Sequence, residues 1–560
     1  MGLPYREHIE YPALTMAQMI ERIAAECPNE AAYEFYGRRT SYQKFVEEIE
    51  TAARAFLALG IERDDRVTIC LPNVPQALTC FYGLNRIGAA ANMVHPQSAQ
   101  EEITFYLNVS KSKAVVTLDM FAEKVEAALV GVDHPVTILV TRMQEKLPPH
   151  LAAAYVLKAG RKFLKFPQGE HQMSYRKFLA DGKGQTLPEQ IYDTDHTSVI
   201  LYSGGTSGVP KGICLTDANV NATALQAREA IQQEFHPGLS ILSCMPLFHG
   251  FGLGINIHTA IIHGVTCVLM PAFNTKNYAK MLLERRPNFI AGVPTIFDAL
   301  LHTKELEHAD LSFLLGMFCG GDSLTVELKK KIDDFLQEHN ASIQVREGYG
   351  LTECVTASCL TPRDTYKPGS IGLPFPDTVY AIVAPGTDEV LPNGEEGEII
   401  LRGPSVMKGY LDNEEETEKT LRLLPDGNRW LYTGDQGWMD EEGYVYFRQR
   451  IKRMIITNGY NVYPGQLENV IDGVPEVAYS CVIGVKDPRR MQRVRAYVVL
   501  NEGCEPTDEM REKIMQALEL KVARYALPKE IIFRDELPKT LVGKVAFRVL
   551  EEEAENEAVS

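Results

Sequence analysis

Thr206, Ser207 and Lys211 fall in one short stretch among Gly204, Gly205, Gly208 and Gly212. Glycines without side chains let backbone N–H groups converge on anionic oxygens, hydroxyls add hydrogen bonds, and a lysine adds a mobile positive charge. That is the chemistry of a polyphosphate cradle. The full stretch, Tyr202-Ser203-Gly204-Gly205-Thr206-Ser207-Gly208-Val209-Pro210-Lys211-Gly212, does not follow the Walker A spacing, because Pro210 precedes Lys211 and Gly212 follows it. A surface loop joining two elements has the same composition. A second stretch, Gly348-Tyr349-Gly350-Leu351-Thr352-Glu353, sets an aromatic ring, a hydroxyl and a carboxylate side by side. These could stack on a base, touch a phosphate and hold a divalent cation; a turn capped by Thr352 is the other reading. In Tyr432-Thr433-Gly434-Asp435 the carboxylate at a glycine turn could accept hydrogen bonds from a ribose diol.

These residues sit at the ends of apolar runs. Ser198 to Leu201 reads as a strand feeding the first glycine turn, and Met317 to Gly321 and Ser342 to Glu347 read as strands entering later ones. Upstream, the spacing from Thr40 to Leu59 predicts a helix capped by Thr40 or Ser41. A strand is expected over Arg66 to Leu71, a helix over Pro75 to Gly88, and further strands over Lys113 to Leu118, Val136 to Val140 and Phe289 to Val293. Strand and helix patterns in alternation indicate a parallel α/β sheet. Leu242 to Leu247 leads into Phe248-His249-Gly250-Phe251-Gly252, expected to be a glycine- and aromatic-rich turn. Short alternating strands with Pro/Gly turns fill Ile371 to Arg450, as in a small antiparallel subdomain. The charged run from Arg450 to Arg453 then reads as a linker into a last module, and the acids from Glu551 as a disordered tail. Between Leu151 and Phe166, Lys158, Arg161, Lys162 and Lys165 line one side of a basic amphipathic helix that Pro167 ends. It is either a solvated helix or a weak contact for an anionic membrane surface.

At 560 residues the chain exceeds a single core, and 45% apolar with 23% charged residues is ordinary globular composition. A net charge of -17 argues against a protein that coats nucleic acid, so a polyanionic substrate would need a locally basic pocket. The 11 cysteines form no CxxC pair and no zinc spacing, and no signal core or apolar membrane-length run is present, so a reduced, cytoplasmic protein is the expectation.

Taken in order, the motifs identify a family. The phosphate stretch, Gly348 to Glu353, Tyr432 to Asp435, Arg450-Ile451-Lys452 with Gly459-Tyr460-Asn461-Val462-Tyr463-Pro464, and Pro538-Lys539-Thr540 with Gly543-Lys544 resemble the ANL superfamily of adenylate-forming enzymes, and most closely its bacterial fatty-acid–CoA ligases. The resemblance spans nearly the whole chain. It implies an α/β fold: a large N-terminal domain, 1–450, of layered α/β subdomains plus a small β-rich subdomain, then a small mobile α+β C-terminal domain, 451–548, and an acidic tail, 549–560.

It also implies a two-step ligase that uses ATP, Mg²⁺ and CoA to convert a carboxylic acid, a medium- or long-chain fatty acid first among them, into its acyl-CoA. Transfer to a separate carrier protein, or a non-catalytic nucleotide binder, are the alternatives; oligomeric state stays open. By similarity Ser203, Thr206, Ser207, Gly208 and Lys211 would hold the β- and γ-phosphates. Gly348, Tyr349, Gly350, Gly320, Gly321 and Asp322 would surround the adenine. Thr352 would contact the α-phosphate, Glu353 would ligate Mg²⁺, and Asp435 with Arg450 would meet the ribose. Lys544 would bridge carboxylate and α-phosphate, and Lys452 would be the hinge. Rotation would bring Gly459 and Tyr460 to CoA, while His249 and Gly252 would border the acyl chain. The chain departs from the usual pattern at Gly204, Gln449, Arg453 and Val542.

Overall fold

The computed structural model describes residues 3–163, 171–203, 210–453, 455–457, 460–462, 464–487, 491–522, 526–540 and 544–559. Among these residues the chain forms four sheets. The first has nine strands, ordered Leu373–Pro374, Cys359–Leu360, Val345–Tyr349, Gly316–Gly320, Phe289–Gly292, Ser240–Ser243, Thr266–Leu269, Ala31–Phe35 and Arg38–Ser41. Its strands from Val345–Tyr349 to Ala31–Phe35 are parallel. The second has eight, ordered Gly409–Tyr410, Lys211–Leu215, Val199–Ser203, Ala90–Met93, Arg66–Cys70, Ala114–Leu118, Thr137–Thr141 and Gln172–Ser174. It is parallel from Val199–Ser203 onward and closed by antiparallel strands on the site side.

Strands such as Ala114–Leu118 are apolar at nearly every position because both faces are covered. The helix Pro75–Arg86 is buried from Pro75 to Asn85, as an element enclosed by other layers must be. It approaches the helix Tyr42–Ala58 so closely that a Cβ at Gly83 would lie 2.9 Å from Ala52 Cβ. Ser41 caps that second helix by accepting the Lys44 N–H.

The third sheet is antiparallel: Val379–Val383, Gly397–Arg402, Arg429–Met439 and Leu421–Leu423 in order, with Val445–Arg450 also paired to Arg429–Met439. The fourth is built from Tyr460–Val462, Ile455–Thr457, Met491–Leu500, Val477–Asp487 and Glu530–Phe533. Its strands alternate two apolar sets. Val482, Val494, Ala496 and Val498 pack under the helices Pro464–Asp472 and Asp508–Lys521, while Cys481, Ile483, Val485 and Tyr497 face the other way. A period of two on both faces requires cover on both.

That second cover corrects one expectation. The acidic tail is not disordered: Phe547–Val559 is a helix whose Leu550 and Ala554, one turn apart, bury against Cys481, Ile483 and Tyr497. Its acids have partners, Glu553 with Arg534 at 2.8 Å and Glu557 with Arg495 at 2.7 Å. The expected turn at Phe248 to Gly252 is also different, since Phe251–Thr259 winds as a fully buried π-helix. The glycines there serve close approach: a Cβ on Gly250 would sit 1.7 Å from the Val355 carbonyl oxygen, and one on Gly252 2.0 Å from that of Pro246. The basic helix appears as Pro149–Phe163, but its side chains from 158 on lie outside the described residues. Among the described residues no helix is long and apolar enough to cross a membrane.

Candidate active site

Antiparallel pairing of Val199–Ser203 with Lys211–Leu215 sets Ser203 opposite Lys211, so both ends of the glycine stretch meet at one point. Thr206, Ser207 and Gly208 lie outside the described residues. The entering strand is anchored from below: Tyr202 Oη donates to Asn92 Oδ1 at 2.7 Å, and the Asn92 amide donates to Thr68 and Ser110 at 2.8 and 3.1 Å. On the other edge Tyr410 pairs with Ile213, which places the Tyr410 ring 5.0 Å from Lys211 Nζ. Tyr410 Oη in turn donates to Glu353 Oε1 at 2.9 Å. Lys211 is ion-paired with Glu416, on the helix Glu414–Thr420. Neither Tyr410 nor Glu416 was expected in the site.

Across the cavity the strands Gly316–Gly320 and Val345–Tyr349 run parallel with Gly320 beside Gly348, so their carboxyl ends open a crevice of the kind in which α/β folds bind ligands. Gly321, at φ +80°, needs the left-handed region that glycine adopts without strain. Asp322 follows it, exposed. Gly350 has no room for a Cβ, which would lie 1.9 Å from the Thr356 carbonyl oxygen. A short 3₁₀ turn, Thr352–Cys354, then ends at Val355, whose φ of 67° and ψ of -59° are unusual for a β-branched residue. The Thr356 N–H donates to the Cys354 carbonyl at 2.8 Å across it. This is the strained γ-turn hand, and it turns Thr352 and the half-buried Glu353 into the cavity.

Asp435 comes from the antiparallel sheet, in register with Arg450. It is 1% exposed, and its Oδ2 accepts the Tyr349 hydroxyl at 2.6 Å. Its Oδ1 lies 3.4 Å from Arg450 Nε yet has no hydrogen-bond partner. Burial raises its pKa, while Arg450 and the Tyr349 hydrogen bond hold it down. A buried acceptor with free lone pairs fits a ribose hydroxyl. The Tyr349 ring stands 5.9 Å from that of Phe447, tilted by 34°.

Lys544 reaches this crevice from the C-terminal sheet's own layer. The loop that carries it is closed by the Thr540 N–H on the Lys544 carbonyl at 2.6 Å and the Lys544 N–H on Thr540 Oγ1 at 3.1 Å. A Cβ at Gly321 would lie 3.6 Å from Lys544 Cε and 4.0 Å from its Nζ. Burial lowers the Lys544 pKa, and Asp322 opposes that shift. Lys452 falls in the 3₁₀ turn Ile451–Arg453, and Tyr460 in the strand Tyr460–Val462; their side chains, like Gly459 and Val542, lie outside the described residues. Arg453 is ion-paired with Glu468 and stacks 5.0 Å from the Phe547 ring. Gln449 is 3% exposed with neither amide atom hydrogen-bonded.

Lys211, Tyr349, Thr352, Glu353, Asp435, Arg450 and Lys544 all line one cavity of about 1720 Å³. Part of its wall is apolar, supplied by Ile231, Phe251, Ile255, Phe318, Leu360 and Phe375. His249 stands at the junction, its pKa pushed down to about 3 by burial and by Lys544, so it is neutral, with Nδ1 accepting the Phe251 N–H at 3.2 Å. Gly252, by contrast, is buried within the π-helix and does not line the cavity. Among the described residues no three His, Cys, Asp or Glu side chains form a metal cage. A lone carboxylate at Glu353 fits Mg²⁺ delivered on a polyphosphate, since that ion keeps waters and phosphate oxygens as most of its ligands.

Glu347, one residue before Gly348 on the strand Val345–Tyr349, also faces this cavity and accepts the Leu324 N–H at 3.1 Å. Burial pushes its pKa up to about 8. The folded state therefore keeps this proton where the unfolded chain has lost it, and stability falls as pH rises from the ordinary glutamate range to about 8. We expect Glu347→Gln to remove that component, on the order of 3 kcal/mol between pH 6 and 8.5. Thermal or urea unfolding at the two pH values measures it; an unchanged slope would assign the proton elsewhere.

The comparisons with known proteins agree with this geometry. The chain is 33% identical over 553 residues to a long-chain-fatty-acid–CoA ligase of Bacillus subtilis (strain 168), covering 97% of this chain and 96% of that protein. It is 31% identical over 555 residues to a long-chain-fatty-acid–CoA ligase of Escherichia coli O157:H7, covering 96% and 94%. The crystal structure of the anthranilate CoA ligase AuaEII in complex with anthranoyl-AMP superposes with a TM-score of 0.85 over 98% of this chain and 99% of that one, at 22% identity, a likeness of fold. The AMP-binding enzyme profile matches residues 20–411 and the AMP-binding enzyme C-terminal domain profile residues 466–544, and with four layers converging on one cavity the chain belongs to the AMP-binding enzyme family.

Proposed function

We propose that this protein is an AMP-forming acid–thiol ligase that activates a medium- or long-chain fatty acid with Mg-ATP and passes the acyl group to CoA. The observation that carries the reading is the convergence of Lys544, from the C-terminal layer, with Lys211, Tyr349 and Asp435 around one cavity that continues into an apolar wall. In the first step a carboxylate oxygen bonds to the α-phosphorus and the bond to pyrophosphate breaks. In the second, the thiol sulfur bonds to the acyl carbon, the bond to AMP breaks, and the thiol proton leaves to solvent.

The chain's own residues position and neutralise charge; no protein nucleophile is required. Tyr349 lies against the adenine, and the free Oδ1 of Asp435 accepts a ribose hydroxyl beside Arg450. Lys211, with Ser203, Thr206, Ser207 and Gly208, holds the outer phosphates. Thr352 donates to the α-phosphate, and Glu353 with the Tyr410 hydroxyl fixes the side where Mg²⁺ would sit. Bound Mg²⁺ supplies charge neutralisation across the phosphates. Lys544 places its ammonium between the incoming carboxylate and the α-phosphate. Neutral His249 separates this charged region from the apolar wall. On the domain reading, 1–450 and 451–548 are separate bodies that pivot at Lys452, withdrawing Lys544 and bringing Gly459 and Tyr460 to the CoA thiol.

The test is pyrophosphate release from Mg-ATP over a panel of fatty and aromatic acids, with and without CoA. We expect release that depends on a fatty acid, accelerates with CoA and yields acyl-CoA. Release indifferent to CoA would favour a carrier-protein acceptor, and silence across the panel would overturn the activity.

A further inference from the structure

We propose that Glu416 is an internal stand-in for the polyphosphate: it occupies Lys211 when no nucleotide is bound, is displaced by ATP, and reclaims Lys211 as pyrophosphate leaves. The inference rests on the reading of Lys211 as a phosphate ligand. Three observations support it. Glu416 is ion-paired with Lys211, and both side chains line the cavity together with Lys419 and Arg422. The pair is partly accessible, with 18% of the Lys211 and 32% of the Glu416 side chain exposed, so exchange needs no unfolding. Glu416 also has a second place to go, because its other carboxylate oxygen lies 3.5 Å from Lys419 Nζ one turn along the same helix, an ammonium that donates to Glu415 Oε1 at 2.6 Å and has further protons to give. That helix is anchored independently by the Asn413 side chain, which accepts the Glu416 backbone N–H at 3.1 Å. The carboxylate can therefore swing while the backbone stays.

The physical argument is one of like charges. A polyphosphate bound at Lys211 brings several negative charges to within a few ångströms of Glu416. At that range repulsion between like charges outweighs what a partly exposed ion pair returns. Glu416 must then yield to Lys419. The reverse holds after the first chemical step: once pyrophosphate departs, Lys211 is a half-buried cation with a carboxylate one rotamer away. Both ATP and pyrophosphate thus compete with a tethered anion, which weakens each and hastens product release. The same lysine stands over the Tyr410 ring, whose hydroxyl holds Glu353, so the exchange takes place beside the carboxylate proposed to meet Mg²⁺.

The experiment measures equilibrium binding of Mg-ATP and of Mg-pyrophosphate to the full chain carrying Glu416→Gln, Lys211→Ala, or both. Glutamine keeps the helix and the side-chain shape but removes the charge. We expect Glu416→Gln to tighten both ligands about five-fold, the equivalent of about 1 kcal/mol. The gain should vanish in the double variant, and Lys211→Ala alone should weaken both. With CoA present, pyrophosphate should become a stronger product inhibitor of Glu416→Gln. Unchanged or weaker binding in Glu416→Gln, with Lys211→Ala still weakened, would overturn the stand-in while leaving Lys211 a phosphate ligand. No effect of Lys211→Ala would overturn both. Glu416→Asp, one methylene shorter, is a second variant: it should fall between wild type and Gln, and a loss of affinity there would show that Glu416 merely aims the lysine.

Discussion

Replacing Lys544 with alanine is expected to slow acyl-adenylate formation by at least 10²- to 10³-fold, the range seen when one preorganised electrostatic donor is removed from a reacting centre. Thioester formation from a preformed acyl-adenylate should stay within a few-fold of wild type. The asymmetry follows from where the lysine comes from. It belongs to a layer built on Val477–Asp487 and Met491–Leu500, yet its side chain stands over Gly321 between strands of the nine-stranded sheet. On the proposed pivot, a residue supplied by the moving layer serves the half-reaction in which that layer is docked. The loop geometry, with Thr540 bonded to both the N–H and the carbonyl of Lys544, does not depend on the amine, so the variant should fold. Equal loss of both half-reactions would overturn the pivot. The lowered pKa of Lys544 adds a check: its protonated form does the work, so adenylation should decline on the alkaline side earlier than an unburied lysine would dictate.

Asp435→Ala is the second large effect, a 10²- to 10³-fold rise in KM for ATP with a smaller change in kcat. A carboxylate oxygen accepting a ribose hydroxyl contributes about 1.5–3 kcal/mol, and alanine removes that acceptor together with the one that holds Tyr349. It also leaves Arg450 beside an apolar hole. Tyr349→Phe separates the two jobs of the pair: it keeps the ring for the base and deletes only the 2.6 Å bond to Oδ2, so a rise of about ten-fold is expected. Steady-state kinetics with ATP varied at saturating acid measures both. If Asp435→Ala leaves KM for ATP near wild type, the orphaned Oδ1 has another purpose.

How much of this was legible beforehand depends on how local the signal is. The strand runs that end near Gly320 and Gly348 are written in consecutive residues, and the structure ends strands there, at Gly320 and Tyr349. So is the hydroxyl cap at Ser41. Gly434 is no turn but lies inside the strand Arg429–Met439, at an irregularity in its pairing with Gly397–Arg402. The π-helix was not legible, because Gly250 and Gly252 look like turn residues until Val355 and Pro246, distant in sequence or folded back, are seen pressed against them. The tail helix was masked by its own acids; Leu550 and Ala554, with Phe547 partly buried beside them, make too sparse a stripe to outweigh the charge. Glu416 stands last in a run of three glutamates that reads as a solvated helix start, and its partner lies 205 residues earlier. Local patterns specify elements; which side chains meet across layers is settled only by their packing.

The hydroxyl of Tyr349 and the carboxylate of Asp435 are joined, yet one belongs to a sheet that is mostly parallel and the other to an antiparallel sheet with a core of its own around Val383, Ile400 and Trp430. Lys211 begins a strand of the eight-stranded sheet, and Lys544 lies on a loop of the C-terminal layer. On the proposed reading of the site, the nucleotide is a keystone as well as a reactant. No single layer excised from the chain would hold it, and whatever free energy it contributes on binding is shared by every seam it crosses. At a hundred times its dissociation constant a ligand adds about 2.7 kcal/mol to the folded state, and here that increment holds the layers to one another more than it stiffens any one of them.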